Sequence, residues 1–198
     1  MVNKAVIQTL ALIGCCGISQ AGVVNGNFET ACNGQLAPGW TTSSGVDGSG
    51  GCRATGGNPN GNFILNAGGD PATDPTISQD IGPLILTHLY QLTGDFACGN
   101  VCNPPQTTNN FAVDINGTTF GYMTPTALGV WRSFTIQFTY SGASTILNLR
   151  GETNGTDYDP RVDNIVLTDI TGQGVPEPSA WMLVAAGIAA ISFAKSRK

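Results

Sequence analysis

A strict two-residue alternation near the middle of this chain constrains its fold more than any other feature of the sequence. Between positions 133 and 140, even positions are aromatic or aliphatic, and odd positions are serine, threonine or glutamine. Successive side chains of a β-strand point to opposite faces of the sheet. The segment Trp131–Tyr140 is therefore predicted to be a strand with one buried and one solvated face.

Five Asn-Gly pairs divide the rest of the chain into short segments; they begin at Asn25, Asn33, Asn60, Asn116 and Asn154. Each pair is a candidate for the positive φ angles of a tight turn. Asn116-Gly117 lies between two alternating segments and predicts a hairpin over residues 111–123. Further strands are predicted at Gly22–Phe28, Asn62–Ala67, Thr76–Ile81, His88–Ala97, Ser144–Arg150 and Val162–Ile170.

The body of the chain contains no segment with the periodicity of an amphipathic helix. Eight to ten short strands in about 150 residues indicate an all-β domain, either a sandwich or a barrel. The Gly-, Asn- and Pro-rich segments 38–60 and 98–110 are interpreted as loops, because no change of composition separates two cores. One domain over residues 22–173 is the economical prediction.

The charge balance excludes one class of partner. Residues 22–175 contain four arginines and twelve acidic residues, a formal charge of −8. A body this acidic repels phosphate backbones, and no basic stripe with interleaved aromatic residues is present. Nucleic-acid binding is therefore not expected.

The first 21 residues have the features of a secretory signal peptide. Lys4 precedes an apolar stretch from Ala5 to Ile18, and the small residues Ser19 and Ala21 suit signal peptidase. A lipoprotein box ending at Cys15 is the alternative, and it would leave that cysteine lipidated. Cleavage and lipidation at Cys15 leave five thiols, an odd number, whereas cleavage after Ala21 leaves four, an even number that favours the secretory signal.

Residues 174–198 have the order of a membrane-sorting tail. A Pro-Glu-Pro box at 176–178 precedes an uncharged apolar run at 180–194 and a basic end at 195–198. At about 1.5 Å per residue the run covers roughly 22 Å, so a transmembrane helix here needs help from flanking residues to cross a core of roughly 30 Å. The basic end is expected on the cytoplasmic side. The whole tail resembles the PEP-CTERM sorting signal.

This resemblance implies a sorting route. PEP-CTERM proteins come from Gram-negative bacteria that make exopolysaccharide, and exosortase, a membrane-embedded cysteine protease, recognises their tails. Pro176, Glu177 and Pro178 would be the residues that exosortase reads. The resemblance implies transient anchoring in the inner membrane and a destination in the envelope, on the outer surface or in the extracellular matrix. The two prolines also disfavour helix and leave an extended strip of the kind that a protease needs.

Four cysteines, Cys32, Cys52, Cys98 and Cys102, remain after cleavage at Ala21, and all four fall in predicted loops. In an oxidising compartment we expect them to form disulfides, and three connectivities are open. Local pairing of Cys98 with Cys102 would leave Cys32 with Cys52. A zinc site is disfavoured because the spacing is not Cys-X-X-Cys and the chain has one histidine.

A second resemblance involves the two ends of the body. Val23–Glu29, followed by Gly39-Trp40, and Arg161–Leu167 near the end, are similar to the galactose-binding-like jelly roll, a group that includes carbohydrate-binding modules; Tyr90 and Trp131 add to the pattern. The resemblance implies a single jelly-roll β-sandwich with its first and last strands close together. It also implies that Trp40 and Trp131 belong to the core.

Many members of that group hold a structural calcium ion near these strands. Glu29 and Asp163 match the acidic positions, so the resemblance implies a Ca²⁺ site there and no other cofactor. Ca²⁺ takes six to eight oxygen ligands, and the sequence names two. The alternative is that Glu29 caps a turn and that Asp163 pairs with Arg161 or with backbone amides.

Catalysis is not expected, because the residues that it needs are sparse. Any nucleophile would depend on His88, which is interpreted as a strand-end residue. Asp157 and Asp159 are the nearest pair of carboxylates for glycoside cleavage, but they are interpreted as part of a solvated turn.

Tyr122 and Tyr158 are the aromatic residues most free to stack on a sugar ring. The sequence thus favours a non-catalytic exported protein that associates with exopolysaccharide or other glycans. A structural or protein-adhesive envelope component is the alternative, and a secreted hydrolase is a third hypothesis.

Overall fold

The computed structural model describes residues 21–30, 32, 34, 37–44, 50–66, 75–99, 110–125, 127–152 and 159–172. Its secondary structure is ten strands: β1 (Thr41–Ser44), β2 (Gly51–Arg53), β3 (Asn62–Ile64), β4 (Thr76–Asp80), β5 (Leu89–Cys98), β6 (Phe111–Ile115), β7 (Thr118–Tyr122), β8 (Trp131–Thr139), β9 (Ile146–Gly151) and β10 (Pro160–Asp169). Within these ranges there is no helix. The all-β prediction is confirmed.

The strands form two five-stranded sheets. Sheet 1 has the order β1-β4-β9-β6-β7, and sheet 2 has the order β2-β3-β10-β5-β8. Every strand pair is antiparallel. Strands β4, β5, β8 and β9 bury alternate side chains. The inward-facing side chains of the two sheets form one hydrophobic core.

Strand β8, at the edge of sheet 2, and its neighbour β5 show how the sequence pattern produces this core. In β8 the buried residues are Phe134, Ile136 and Phe138, while Ser133, Thr135 and Gln137 are exposed. β8 pairs along its whole length with β5, whose Tyr90 and Leu92 are also buried. The prediction of a half-buried strand is therefore confirmed residue by residue.

The predicted hairpin is also confirmed. β6 pairs with β7 through the turn at Asn116 (φ 51°) and Gly117 (φ 75°). Both residues have the positive φ that a two-residue turn of this type requires, which is why Asn-Gly is favoured there.

The strand predicted at Gly22–Phe28 is wrong. This segment forms a turn, in which Asn25 and Phe28 have φ values of 50° and 51°. Its backbone still meets the last strand, because Ile165 N donates to Gly26 O at 2.9 Å. A Cβ added to Gly26 would lie 2.0 Å from Ile165 O, so the close approach requires glycine. The two ends of the body are therefore adjacent, as the resemblance implied, although one of them is not a strand.

The interpretation of residues 38–60 as a loop is wrong in part, because β1 and β2 lie inside that range. The signal-peptide residues 1–20 and the tail residues 173–198 lie outside the described residues, and so does Cys15. Within the part of the chain that the structure describes, no helix is long and apolar enough to cross a membrane.

Candidate functional site

Glu29 and Asp163, the two acidic residues predicted to bind calcium, contact the same loop, residues 54–61 between β2 and β3. Glu29 Oε1 accepts a hydrogen bond from Gly61 N at 2.9 Å. Asp163 Oδ2 accepts one from Asn58 N at 2.6 Å, and its Oδ1 accepts one from Asn164 N at 2.7 Å. Both carboxylates thus bind backbone amides, which the sequence left open as the alternative to a metal.

Asp95 is a third carboxylate in this region, and the sequence analysis did not identify it. It lies directly opposite Asp163 in the β5–β10 pair. Its Oδ2 accepts hydrogen bonds from Asn164 Nδ2 at 2.9 Å and from Asn58 Nδ2 at 3.1 Å, and its Oδ1 accepts one from Ser133 Oγ at 2.6 Å. Two asparagine side chains therefore link the carboxylate of β5 to loop 54–61 and to β10.

The electrostatics of this cluster favour a positive charge. Burial of Asp163 raises its pKa to about 6 from the ordinary value of 3.8, although the amides of Asn58 and Asn164 act to lower it. The negative charges of Asp95 and Glu29 raise the pKa further. A cation placed among these groups would favour the charged carboxylates and so lower the pKa of Asp163.

The oxygen chemistry of these side chains suits Ca²⁺, which binds carboxylate and carbonyl oxygens. As the side chains stand, however, the described residues contain no group of three or more His, Cys, Asp or Glu side chains arranged to hold a metal ion. Both Asp163 oxygens and Glu29 Oε1 already accept hydrogen bonds, so Ca²⁺ would have to displace or share them.

Cys32 and Cys52 form a disulfide with a Cα–Cα distance of 5.2 Å. Cys52 is buried in β2, and the bond attaches the segment after Glu29 to sheet 2. Cys98 is also disulfide-bonded. Cys102 lies outside the described residues, so its pairing with Cys98 stays a prediction.

Tyr122, predicted to stack on a sugar, lies at the end of edge strand β7 and packs partly against the core. Its ring centroid is 5.4 Å from that of Phe96, 5.6 Å from that of Phe134 and 6.0 Å from that of Phe111. This partial burial raises the pKa of its hydroxyl. Tyr158 lies outside the described residues.

The two tryptophans assigned to the core differ in their positions. Trp40 is buried 5.5 Å from the ring of Phe28, and its Nε1 donates to Asn25 O at 3.2 Å. Trp131 is half-buried on β8, and strand alternation places it on the face opposite to Phe134. It pairs with Ala97 on the outer side of sheet 2, so its assignment to the core is wrong.

The residues weighed for catalysis are bound to structural partners or lie outside the described residues. His88 precedes β5, and its Nδ1 lies 2.7 Å from Asp169 Oδ2. Asp159, interpreted as solvated, is buried, and its Oδ2 accepts from Asn66 Nδ2 at 3.1 Å. The backbone oxygen of Asp159 accepts a hydrogen bond from Gly99 N, so Asp159 lies beside the end of β5. Asp157 lies outside the described residues.

The outer face of sheet 1 carries a row of hydrogen-bonding side chains that the sequence analysis missed. One residue from each strand contributes, in register across the sheet: Thr41, Ser78, Asn148, Asp114 and Thr119. At a strand spacing of about 4.8 Å this polar row is roughly 19 Å long. Because Ile77 and Leu147 are buried, their neighbours Ser78 and Asn148 point outward.

Hydrogen bonds within the polar row hold its side chains in place. Ser78 Oγ donates to Asn148 Oδ1 at 2.7 Å, and Thr119 Oγ1 donates to Asp114 Oδ1 at 2.6 Å. Arg150 contacts the row through Asp114 at 3.4 Å and also pairs with Glu152 at 3.2 Å. The face therefore presents hydroxyl, amide, carboxylate and guanidinium groups side by side.

Comparisons with known proteins identify the fold. No protein-family model matches the sequence, and no curated protein matches it. Among solved structures, "Family 16 Carbohydrate Binding Module-2" has 21% identity and a TM-score of 0.51, with coverage of 74% of this chain and 99% of that one. The CBM22-1 xylan-binding domain of Xyn10C from Paenibacillus barcinonensis has 17% identity and a TM-score of 0.51, over 78% and 99% of the two chains.

An enzyme chain contains a similar fold as well. The arabinose-bound α-L-arabinofuranosidase MgGH51 has 8% identity and a TM-score of 0.51, over 78% of this chain and 27% of that one. At these identities the likeness shows the fold alone, which is the jelly-roll β-sandwich of carbohydrate-binding modules.

Proposed function

We propose that residues 22–173 form a non-catalytic, exported module that associates with exopolysaccharide or other glycans through the polar row of sheet 1. The observation that carries the proposal is the row itself, five aligned hydrogen-bonding side chains on one open sheet face. Sugar hydroxyls both donate and accept hydrogen bonds, so a surface that alternates hydroxyl, amide and carboxylate groups can bind them. The fold shared with a xylan-binding domain supports the same reading.

Tyr122 and Tyr158 remain the proposed stacking residues. Tyr122 lies on β7, the edge strand that contributes Thr119 to the polar row, but alternation places its ring on the inward side of that strand. A chain bound on the row would therefore have to pass around the edge of sheet 1 to reach the ring. Stacking on an aromatic face would add contact area that hydrogen bonds alone do not provide.

A structural or protein-adhesive envelope component is the alternative, and one observation favours it. The polar row satisfies much of its own hydrogen bonding, through the Ser78–Asn148 and Asp114–Thr119 pairs. A surface whose only role is to remain hydrated would have the same pairs. A secreted hydrolase remains a third proposal, dependent on Asp157 and Asp159.

Calorimetric titration of the full chain, purified in mild detergent, with the exopolysaccharide of the producing bacterium tests glycan association. We expect saturable heat, and binding about tenfold weaker, or about 1.4 kcal/mol, for the Ser78→Ala/Asn148→Ala variant. This double change removes both partners of one hydrogen bond and should therefore cost little stability. Tyr122→Ala and Tyr158→Ala are titrated alongside, with a thermal melt to reveal any loss of folding.

The matched control is Thr135→Ala, an exposed position on the outer face of sheet 2, which should bind like the unchanged chain. Absence of heat from a folded protein would overturn glycan association and support the structural alternative. Turnover of the polysaccharide that disappears in the Asp157→Asn/Asp159→Asn variant would instead establish a hydrolase.

We further propose that exosortase processes the tail at the box formed by Pro176, Glu177 and Pro178. Replacing all three with alanine should leave the chain unprocessed in the membrane fraction, because the segment would lose both the prolines that disfavour helix and the residues that the protease reads. Immunoblots of membrane and extracellular fractions of the producing bacterium measure this, with Gln173→Ala as the control. Normal processing of the triple variant would contradict recognition of the box.

The acidic cluster belongs to the proposal as a calcium site with a structural role. Glu29 and Asp163 would supply ligands, and the ion would supply positive charge that fixes loop 54–61 against β10. The effect of calcium on stability is therefore its test, and it is argued in the Discussion.

A further inference from the structure

An open cleft of about 630 Å³ lies on the opposite side of the sandwich from the polar row. The residues that line it include Thr87, Leu89, Gln91, Gln137, Ile170 and Thr171. Its volume is within the range of small-molecule sites, about 300 to 1,000 Å³. The sequence analysis assigned no role to these residues.

Two adjacent strands of sheet 2, β5 and β8, build the cleft together with the residues just before β5 and just after β10. Leu89 and Gln91 alternate with the buried Tyr90 and Leu92, so they face outward, and Gln137 lies directly opposite Gln91 on β8. After β10 ends, Ile170 N donates to Leu89 O at 2.9 Å. The cleft floor is therefore made of rigid strands.

The wall of the cleft is also fixed by hydrogen bonds. Thr171 Oγ1 accepts from Leu89 N at 2.7 Å, and Thr171 N donates to Asp169 Oδ1 at 2.8 Å. Asp169 Oδ2 in turn lies 2.7 Å from His88 Nδ1. The turn at residues 169–172 is thus tied both to itself and to the start of β5.

Thr87 lies in a turn at the rim of the cleft. It has a φ of 66°, in a region that β-branched residues seldom adopt, and its N–H donates to Tyr140 O at 3.0 Å. The turn that contains it is closed by His88 N, which donates to Ile85 O at 3.1 Å, so hydrogen bonds on both sides maintain this conformation.

The chemistry of the cleft selects an uncharged ligand rich in hydroxyl groups. Gln137 Nε2 donates to Gln91 Oε1 at 3.0 Å, which fixes the two amides edge to edge. That bond uses one N–H and one oxygen lone pair, and two primary amides offer several more of each. Leu89 and Ile170 add apolar surface, and none of the described residues that line the cleft is charged.

We propose that this cleft is a second glycan-binding site, specific for an uncharged sugar unit, and that the domain is therefore bivalent. The inference rests on the proposed function, which it extends to a second face. The amides of Gln91 and Gln137 would bind vicinal hydroxyls, while Leu89 and Ile170 would contact the C–H face of the ring. Since the polar row and the cleft lie on the outer sides of opposite sheets, one domain would join two polysaccharide chains.

The first test follows the side-chain amide signals of Gln91 and Gln137 by NMR in the full chain, in detergent. The probes are D-glucose, D-galactose and D-mannose and their disaccharides. We expect saturable shifts of these signals with at least one probe. The Gln91→Ala/Gln137→Ala variant, which removes both partners of one hydrogen bond and should stay folded, should bind that probe at least tenfold more weakly. Absence of any shift at these amides, or equal binding by the folded variant, would overturn the proposal that the cleft binds a sugar.

The second test separates this inference from the proposed function. Light scattering follows mixtures of the full chain with the producer's exopolysaccharide, and the unchanged protein should aggregate the polymer. Gln91→Ala/Gln137→Ala should still bind the polymer in the calorimeter but no longer aggregate it. Undiminished aggregation by this variant would overturn bivalency. Absence of polymer binding by every form would overturn the proposed function, and the NMR titration alone would then decide whether the cleft binds a sugar.

Discussion

Replacing both Cys32 and Cys52 with alanine should lower the free energy of unfolding of the domain by about 3 kcal/mol. The two cysteines are 20 residues apart. Closing a loop of that length lowers the conformational entropy of the unfolded chain and so raises its free energy by about 3 kcal/mol. The bond also fixes the segment that carries Glu29, because Cys52 lies in β2 of sheet 2. Urea unfolding followed by the fluorescence of Trp40, which is buried in the core, measures the change.

Reduction of the unchanged protein provides the control for the disulfide. Reductant should destabilise it by at least as much as the double substitution does, since Cys98 is bonded as well. Any remaining effect of reductant on the Cys32→Ala/Cys52→Ala variant then reports the Cys98 bond alone. A loss below about 1 kcal/mol in the variant would mean that the segment around Glu29 is held by packing and hydrogen bonds instead.

The parts of the fold that the sequence predicted are those with long alternating patterns. β8 and the β6–β7 hairpin were predicted because each local pattern agrees with the side of the sheet that is buried. β1 and β2 were missed because they are four and three residues long and consist of Thr, Ser, Gly, Cys and Arg. Such short strands are specified by their neighbours in the sheet rather than by their own periodicity.

The segment Gly22–Phe28 shows the opposite error. Val23, Val24 and Phe28 have the composition of a strand, yet the φ of 51° at Phe28 turns the chain and places that ring in the core. A buried aromatic residue can maintain such a conformation, because the packing that it gains outweighs a local backbone cost of about 1 to 3 kcal/mol. A sequence pattern registers the hydrophobicity of Phe28 but not that compensation.

The site residues that the sequence missed are those whose partners are distant in the chain. Asn58 contacts Asp163, 105 positions away, and Asp95, 37 positions away. The polar row likewise takes one residue from each of five strands, and none of them is unusual in its own segment. The outward positions of β4 and β9 could have been identified from alternation, but their alignment depends on the order of strands in the sheet.

Acidification in calcium-free buffer should stabilise the domain through Asp163. The folded pKa of about 6 lies above the ordinary value of 3.8, so the folded state binds the proton more tightly than the unfolded state does. This contribution to the free energy of unfolding is fully present below pH about 4 and is lost as the pH rises through about 6. From pH 7 to 4.5, it should add about 2 kcal/mol in the unchanged protein relative to Asp163→Asn.

The comparison between pH profiles is the correct measurement, because Asp163→Asn also has a cost at every pH. Asparagine can accept only one of the two backbone hydrogen bonds, from Asn58 and Asn164, that the carboxylate accepts. Asp80→Asn is the matched control. Its backbone hydrogen bond with Gly82 lowers the pKa of Asp80, so its contribution to stability has the opposite sign and is lost as the pH falls. Parallel profiles for the unchanged protein and Asp163→Asn would contradict the raised pKa.

Calcium should reverse this behaviour if Glu29 and Asp163 bind it. A divalent cation favours the charged carboxylates, so the pKa of Asp163 should fall and the stabilisation by acid should disappear. At pH 7, Ca²⁺ at one hundred times its Kd should instead add about 2.7 kcal/mol to the free energy of unfolding. Glu29→Gln should retain most of the acid stabilisation measured in EDTA, because burial is the main cause of the raised pKa of Asp163, but it should lose most of the response to calcium. If the unchanged protein unfolds identically in Ca²⁺ and in EDTA at pH 7, the acidic cluster is held by Asn58, Asn164 and backbone amides alone, and loop 54–61 requires no ion.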